Sequence, residues 1–118
     1  MRILFLGDVV GRSGRDALIA ALPILRAELA LDCVIVNAEN ASHGFGLAPD
    51  MARAIFAAGA DCITLGNHSW DRREIIPYME TEPRLLRPLN YPPGTPGRGA
   101  AVIEAGHKRA RPIVMTSI

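Results

Sequence analysis

The sequence predicts an α/β domain with mostly parallel central strands. Short apolar runs recur at Arg2 to Leu6, Asp32 to Asn37 and Asp61 to Leu65, each with the length of a buried strand. Segments with helical spacing lie between them. Each run also stops at a polar cluster: Gly7-Asp8, then Glu39-Asn40, then Gly66-Asn67-His68. Open α/β sheets bind ligands beyond the carboxyl ends of their strands, so these three strand ends are where function is sought.

The elements follow in order. Arg2 to Leu6 reads as a strand buried on both faces. Val9 to Gly14 is a loop, with Ser13 placed to cap a helix from Arg15 to Ala30. In that helix Ala17, Leu18, Ala21, Leu22, Leu25 and Leu29 share a face, and Pro23 is expected to kink it. The second strand is followed by the polar loop Ala41 to Gly46. Pro49 suits the first position of the next helix, and Gly59 suits its stop. The third strand ends in Gly66-Asn67-His68-Ser69-Trp70-Asp71. In an extended chain Asn67 and His68 point to opposite sides. A helix from Arg72 to Glu80 ends before Pro83. This rhythm predicts parallel strands joined by crossovers. Arg87 to Gly99 contains Pro88, Pro92, Pro93 and Pro96, which belong to neither a helix nor a central strand. Ala100 to Glu104 resumes a strand. Ala105 to Lys108 resembles a hairpin turn, and Pro112 to Ile118 its return strand.

Composition narrows the function classes. The chain has 118 residues, a length suited to one domain. Its net charge of +1 and 5% aromatic content offer neither a basic field nor a stacking platform for nucleic acid. No apolar run approaches the roughly 20 residues of a membrane span. The apolar stretch after Met1 is too short for a signal-peptide core. Cys33 and Cys62 each sit near the start of an apolar run and read as buried strand residues in a reducing compartment. The expected setting is cytoplasmic.

The strand ends bring Asp8, Glu39, Asn40, Asn67 and His68 toward one sheet edge. Two carboxylates without a basic partner resist ionising together unless a cation compensates. Oxygen and imidazole donors without thiolate suit manganese or iron. A bridging carboxylate can hold two ions about 4 Å apart, a spacing suited to phosphoester hydrolysis. Plainer roles exist for each residue. Asp8 could cap the first helix, and Asn40 could be a left-handed turn residue. His43 and His107 read as loop and turn histidines. Arg98 could grip a phosphate or remain solvated. The glycines at 7, 11 and 14 fit neither the dinucleotide fingerprint nor the P-loop.

Four stretches together carry a family resemblance: Gly7 to Gly11, Asn37 to Ala41, Thr64 to Asp71, and Arg87 to Gly99. In order from Met1 to about Ala105, the chain resembles the YmdB-like branch of the calcineurin-like metallophosphoesterases. The resemblance implies the N-terminal half of a four-layer α-β-β-α sandwich with a dinuclear iron or manganese centre. It implies hydrolysis of a small-molecule phosphodiester, notably 2′,3′-cyclic nucleoside monophosphates. At the matching positions Asp8 and Asn40 would hold one metal, Glu39 would bridge both, and Asn67 would hold the second. His68 would donate a proton to the leaving alkoxide. The family's second half supplies further metal-binding histidines, and His107 matches none of them. The expectation is therefore a single incomplete domain over residues 1–118, truncated and weakly active or inactive. Its second sheet would be largely missing. Apolar surface would be left exposed, through which copies could associate. The alternative is a non-catalytic metal- or nucleotide-binding module derived from that fold.

Overall fold

The apolar runs form strands in a computed structural model that describes residues 1–104 and 112–116. The order among the described residues is β1 (Ile3–Leu6), α1 (Gly11–Glu28), β2 (Cys33–Asn37), α2 (Pro49–Ala58), β3 (Cys62–Thr64), α3 (Ile75–Thr81), β4 (Leu85–Leu86), β5 (Ala100–Glu104) and β6 (Pro112–Thr116). Strands β1 to β4 lie side by side in that order, all parallel. Strands β5 and β6 make a separate antiparallel pair. The turn expected at Ala105 to Lys108 lies outside the described residues.

The register pairs Ile3 with Cys33, Phe5 with Ile35, Ile35 with Cys62, and Thr64 with Leu86. Alternation then puts Cys33, Ile35, Cys62 and Leu86 on one face and Val34, Val36, Ile63 and Leu85 on the other. The second set joins Leu18 and Leu22 of α1, Ile55 of α2, and Ile75 and Met79 of α3 in the larger buried cluster. The first set is closed over by Ile103, with Ala101, Ile113 and Met115 against it. Ile103 is 4% exposed, a burial that stabilises by roughly 1.5–3 kcal/mol. Asp61 fastens the frame near the strand starts. Its Oδ2 accepts from Arg26 of α1 at 2.7 Å and from the Val34 backbone N–H at 2.8 Å.

Several details differ from the sequence reading. β1 is not buried on both faces: Ile3 is 50% and Phe5 58% exposed. It is an edge strand with only β2 beside it among the described residues. Ser13 does not cap α1, which begins at Gly11 with no side-chain cap. The Asn40 carbonyl, arriving from beyond β2, accepts the Gly11 N–H at 3.1 Å instead, so the cap is tertiary. Pro23 lies inside α1 without ending it. The third helix starts at Ile75, since residues 71–74 are bends and turns. β4 is a short strand just ahead of the proline-rich loop, where the sequence pattern signals none. Pro49, Gly59 and Pro112 stand where expected, at the first turn of α2, at its C-cap and at the first position of β6.

Candidate active site

Every candidate residue follows the carboxyl end of a parallel strand. Asp8 comes two residues after β1, Glu39 and Asn40 follow β2, and Asn67 and His68 follow β3. The parallel register carries all three ends to one edge. Asn40 donates through Nδ2 to both oxygens of Asp8, at 2.9 and 3.0 Å. This joins the first strand end to the second. A half-turn of the amide exchanges its nitrogen for its oxygen, so Asn40 can offer Asp8 a donor or a cation a ligand. Asn40 is not left-handed, and Asp8 makes no cap to α1, so neither plainer role applies.

Glu39 joins the second strand end to the third. Its carboxylate lies flat against Gly66: a Cβ built on Gly66 would stand 2.5 Å from Glu39 Cδ and 2.6 Å from Oε1. Only a glycine leaves that seat open. Glu39 Oε2 is buried and has no hydrogen-bond partner among the described residues. A buried carboxylate oxygen without a partner is costly and asks for a compensating group.

Asn67 and His68 do not point apart. Residues 67–70 form a turn closed by the Ser69 N–H on the Gly66 carbonyl at 3.1 Å. The turn brings Asn67 Nδ2 to 3.3 Å from His68 Nε2. The other ring nitrogen, Nδ1, sits 2.6 Å from Asp71 Oδ2. A carboxylate on Nδ1 and an amide N–H on Nε2 both favour the tautomer protonated at Nδ1. Phe45 meets the ring edge-on at 5.4 Å. The loop that carries Phe45 packs against the same turn, with Ser42 Oγ accepting from Arg72 Nε at 2.6 Å.

A cleft of about 320 Å³ opens beside this edge, lined by Glu39, Gly66, Asn67, Pro88, Asn90 and Tyr91. The sequence reading gives Asp71, Asn90 and Tyr91 no role. The His-x-x-Asp spacing of a turn is a readable signal for Asp71. The loop residues carry none, because their position depends on how β4 pairs. His43 is exposed at positive φ, as a loop histidine would be. Arg98 is exposed, absent from the cleft wall, and bridges to Leu86. His107 lies outside the described residues. Among the described residues, no group of three or more His, Cys, Asp or Glu side chains is placed to hold a metal ion.

Groups gathered beyond the carboxyl ends of parallel strands stand where open α/β sheets bind ligands. The structure of a "novel phosphatase" from Mycoplasma pneumoniae aligns with a TM-score of 0.78 at 37% identity, covering 86% of this chain and 38% of that one. A hypothetical protein from Thermus thermophilus aligns with a TM-score of 0.83 at 46% identity, covering 90% of this chain and 41% of the other. The chain belongs to the YmdB-like family, whose model, described as "YmdB-like protein", matches residues 4–117. The 2′,3′-cyclic-nucleotide 2′-phosphodiesterase of Bacillus subtilis (strain 168) is 45% identical over 108 residues, 92% of this chain. The chain spans 41% of that protein's length.

Proposed function

We propose that these strand ends form part of a metal-dependent phosphodiesterase centre acting on cyclic nucleotides such as 2′,3′-cyclic nucleoside monophosphates. The observation that carries this reading is the Glu39 carboxylate, set against Gly66 with Oε2 buried and unpartnered among the described residues. A cation is the simplest group to compensate it, and oxygen and amide donors suit manganese or iron. Asp8 and Asn40 would hold one ion, Glu39 both, and Asn67 the second. Bound ions supply positive charge for the phosphoryl oxygens and lower the pKa of a water.

The chain's own residues do the rest. Gly66 keeps Glu39 in place by leaving it room. Asp71 holds His68 at Nδ1, which leaves Nε2 beside the Asn67 amide. Nε2 would give a proton to the departing alkoxide from the doubly protonated ring, whose Nδ1–H the Asp71 carboxylate holds. Such an acid contributes about 100-fold to 10,000-fold.

The test is a pair of substitutions. His68→Ala should lower turnover of a 2′,3′-cyclic nucleotide by that factor while manganese content stays unchanged. The loss should shrink for a nitrophenyl ester, whose leaving group hardly needs protonation. Glu39→Ala should lose the metal and both activities. If His68→Ala also loses the metal, His68 is a ligand and the acid assignment fails.

One observation favours a second reading for this chain by itself. With no group of three His, Cys, Asp or Glu side chains among the described residues, the coordination shell is short of donors. Metal binding would then be weak, and the chain a non-catalytic metal- or nucleotide-binding module. Calorimetry showing tight binding of two manganese ions per chain would overturn that reading. The setting proposed is cytoplasmic, since two buried free cysteines suit a reducing compartment. No described helix is long and apolar enough to cross a membrane. The half-exposed Ile3 and Phe5 of β1 are apolar surface that a second copy could cover.

A further inference from the structure

The cleft beside Glu39 has one wall that the proposed chemistry does not use. It is built from Pro88, Asn90 and Tyr91, in the loop that follows β4. This loop is held rigidly at several points. The Arg87 guanidinium is buried and donates to the carbonyls of Pro88 at 2.9 Å and Pro96 at 3.3 Å. The Arg87 N–H bonds the Arg98 carbonyl at 2.9 Å, closing the loop at its base. Gly99 runs so close to Leu89 that a Cβ would strike the Leu89 backbone.

The loop presents two groups to the cleft. Tyr91 is braced by Trp70, with ring centroids 5.0 Å apart, and its hydroxyl donates to the Gly66 carbonyl at 2.9 Å. Its ring therefore cannot swing away from the edge that seats Glu39. Asn90 is exposed, and its side-chain amide has no hydrogen-bond partner among the described residues. An amide presents one donor and one acceptor side by side, which matches the edge of a nucleobase. A fixed aromatic ring stacks on a base of any sequence. A preorganised wall of this kind binds without the cost of ordering a loop.

We propose that Asn90 and Tyr91 form the subsite for the nucleoside part of the substrate, Tyr91 stacking on the base and Asn90 bonding its edge. The inference rests on the phosphodiesterase reading and extends it from the phosphate to the group attached to it. The cleft volume of about 320 Å³ lies at the small end of ligand sites and suits one nucleoside monophosphate. A simple phosphate would leave this wall untouched.

Trp70 is the sole tryptophan of the chain, and its contact with Tyr91 makes it a reporter. Adenosine 3′-monophosphate and inorganic phosphate are titrated separately in the presence of manganese, followed by Trp70 fluorescence and checked by calorimetry. The wild type should bind the nucleotide roughly tenfold tighter than phosphate. Asn90→Ala and Tyr91→Leu should each weaken nucleotide binding by roughly tenfold and phosphate binding by less than about twofold. Tyr91→Phe keeps the ring and should retain most of the nucleotide affinity. Asn90 is exposed, so its alanine variant remains a fair test even if Tyr91→Leu fails to fold. Equal affinity for the two ligands, or equal weakening of both by Asn90→Ala, would overturn the subsite while leaving the phosphodiesterase reading standing. Absence of manganese-dependent binding for both ligands would overturn the two together.

Discussion

Gly66→Ala should empty the Glu39 seat without unfolding the protein. Gly66 is not among the residues at positive φ, so an alanine there meets no backbone strain. The nearest obstacle is the Glu39 carboxylate, whose Cδ and Oε1 would lie 2.5 and 2.6 Å from the new Cβ. Ordinary contact begins at 3.4 Å, so the carboxyl group must retreat by roughly 1 Å, a misplacement of the size that costs about 100-fold in a functional site. A carboxylate at the end of a flexible side chain can retreat, so the fold should lose little. Gly→Ala at a compatible site recovers about 0.4–1 kcal/mol through the unfolded chain, and net stability should change by less than about 1 kcal/mol. The assay pairs manganese titration, followed by the electron paramagnetic resonance of the free ion, with urea unfolding. The variant should lose saturable binding over the range in which the wild type saturates, at nearly unchanged unfolding midpoint. Wild-type manganese affinity in Gly66→Ala would refute the seat. A loss of more than about 3 kcal/mol, the scale of a core defect, would mean that Gly66 serves packing instead.

Three other outcomes follow from the same structure. Ile103→Ala should destabilise by about 2–5 kcal/mol in urea unfolding, whereas Val102→Ala, on the opposite face and 62% exposed, should cost under about 0.5 kcal/mol; equal effects would show that the β5–β6 pair does not dock on the main sheet. Burial pushes the Cys62 thiol from an ordinary value of 9.0 up to about 12, so the stability it contributes is complete below about pH 9 and fades as pH rises toward 12, by on the order of 4 kcal/mol. Urea unfolding between pH 8 and 10.5 should therefore fall more steeply in the wild type than in Cys62→Ala, and identical slopes would contradict the burial argument. Asp71→Ala removes the partner of His68 Nδ1, so nitrogen-15 NMR should show the ring leaving the Nδ1–H tautomer while the unfolding midpoint stays put; an unchanged tautomer would mean that Asn67 or the backbone sets it.

Much of the fold was legible because its signals are local. The runs at Asp32 and Asp61 are rich in β-branched and apolar residues, and Pro49 and Gly59 bracket α2. What escaped was decided by pairing. Leu85–Leu86 is too short to show a period, and β4 exists because the Ile63 and Leu65 N–H groups bond the carbonyls of Arg84 and Leu86 at 2.8 and 2.9 Å. An apolar run such as Ile3 to Leu6 states a need for cover, not whether cover is present. The start of α1 was missed for a related reason, since its cap is the distant Asn40 carbonyl rather than Ser13.

The site divides along the same line. Residue types and strand ends named Asp8, Glu39, Asn40, Asn67 and His68, because polar residues at the close of buried strands stand out in the sequence. Their relations to one another did not. Extended geometry separates Asn67 from His68, yet one hydrogen bond from Ser69 to Gly66 turns the chain and brings the two together. That turn leaves Gly66 facing Glu39, aims His68 at Asp71, and offers the Gly66 carbonyl to Ser69 Oγ and Tyr91 Oη at 2.6 and 2.9 Å. Gly66 thus receives contacts from Glu39 beyond β2, from Ser69 of its own turn and from Tyr91 in the loop after β4. No pattern around it in the sequence marks it as more than the stop of β3. Its importance follows from the absence of a side chain, which becomes visible only when Glu39 is found occupying the space.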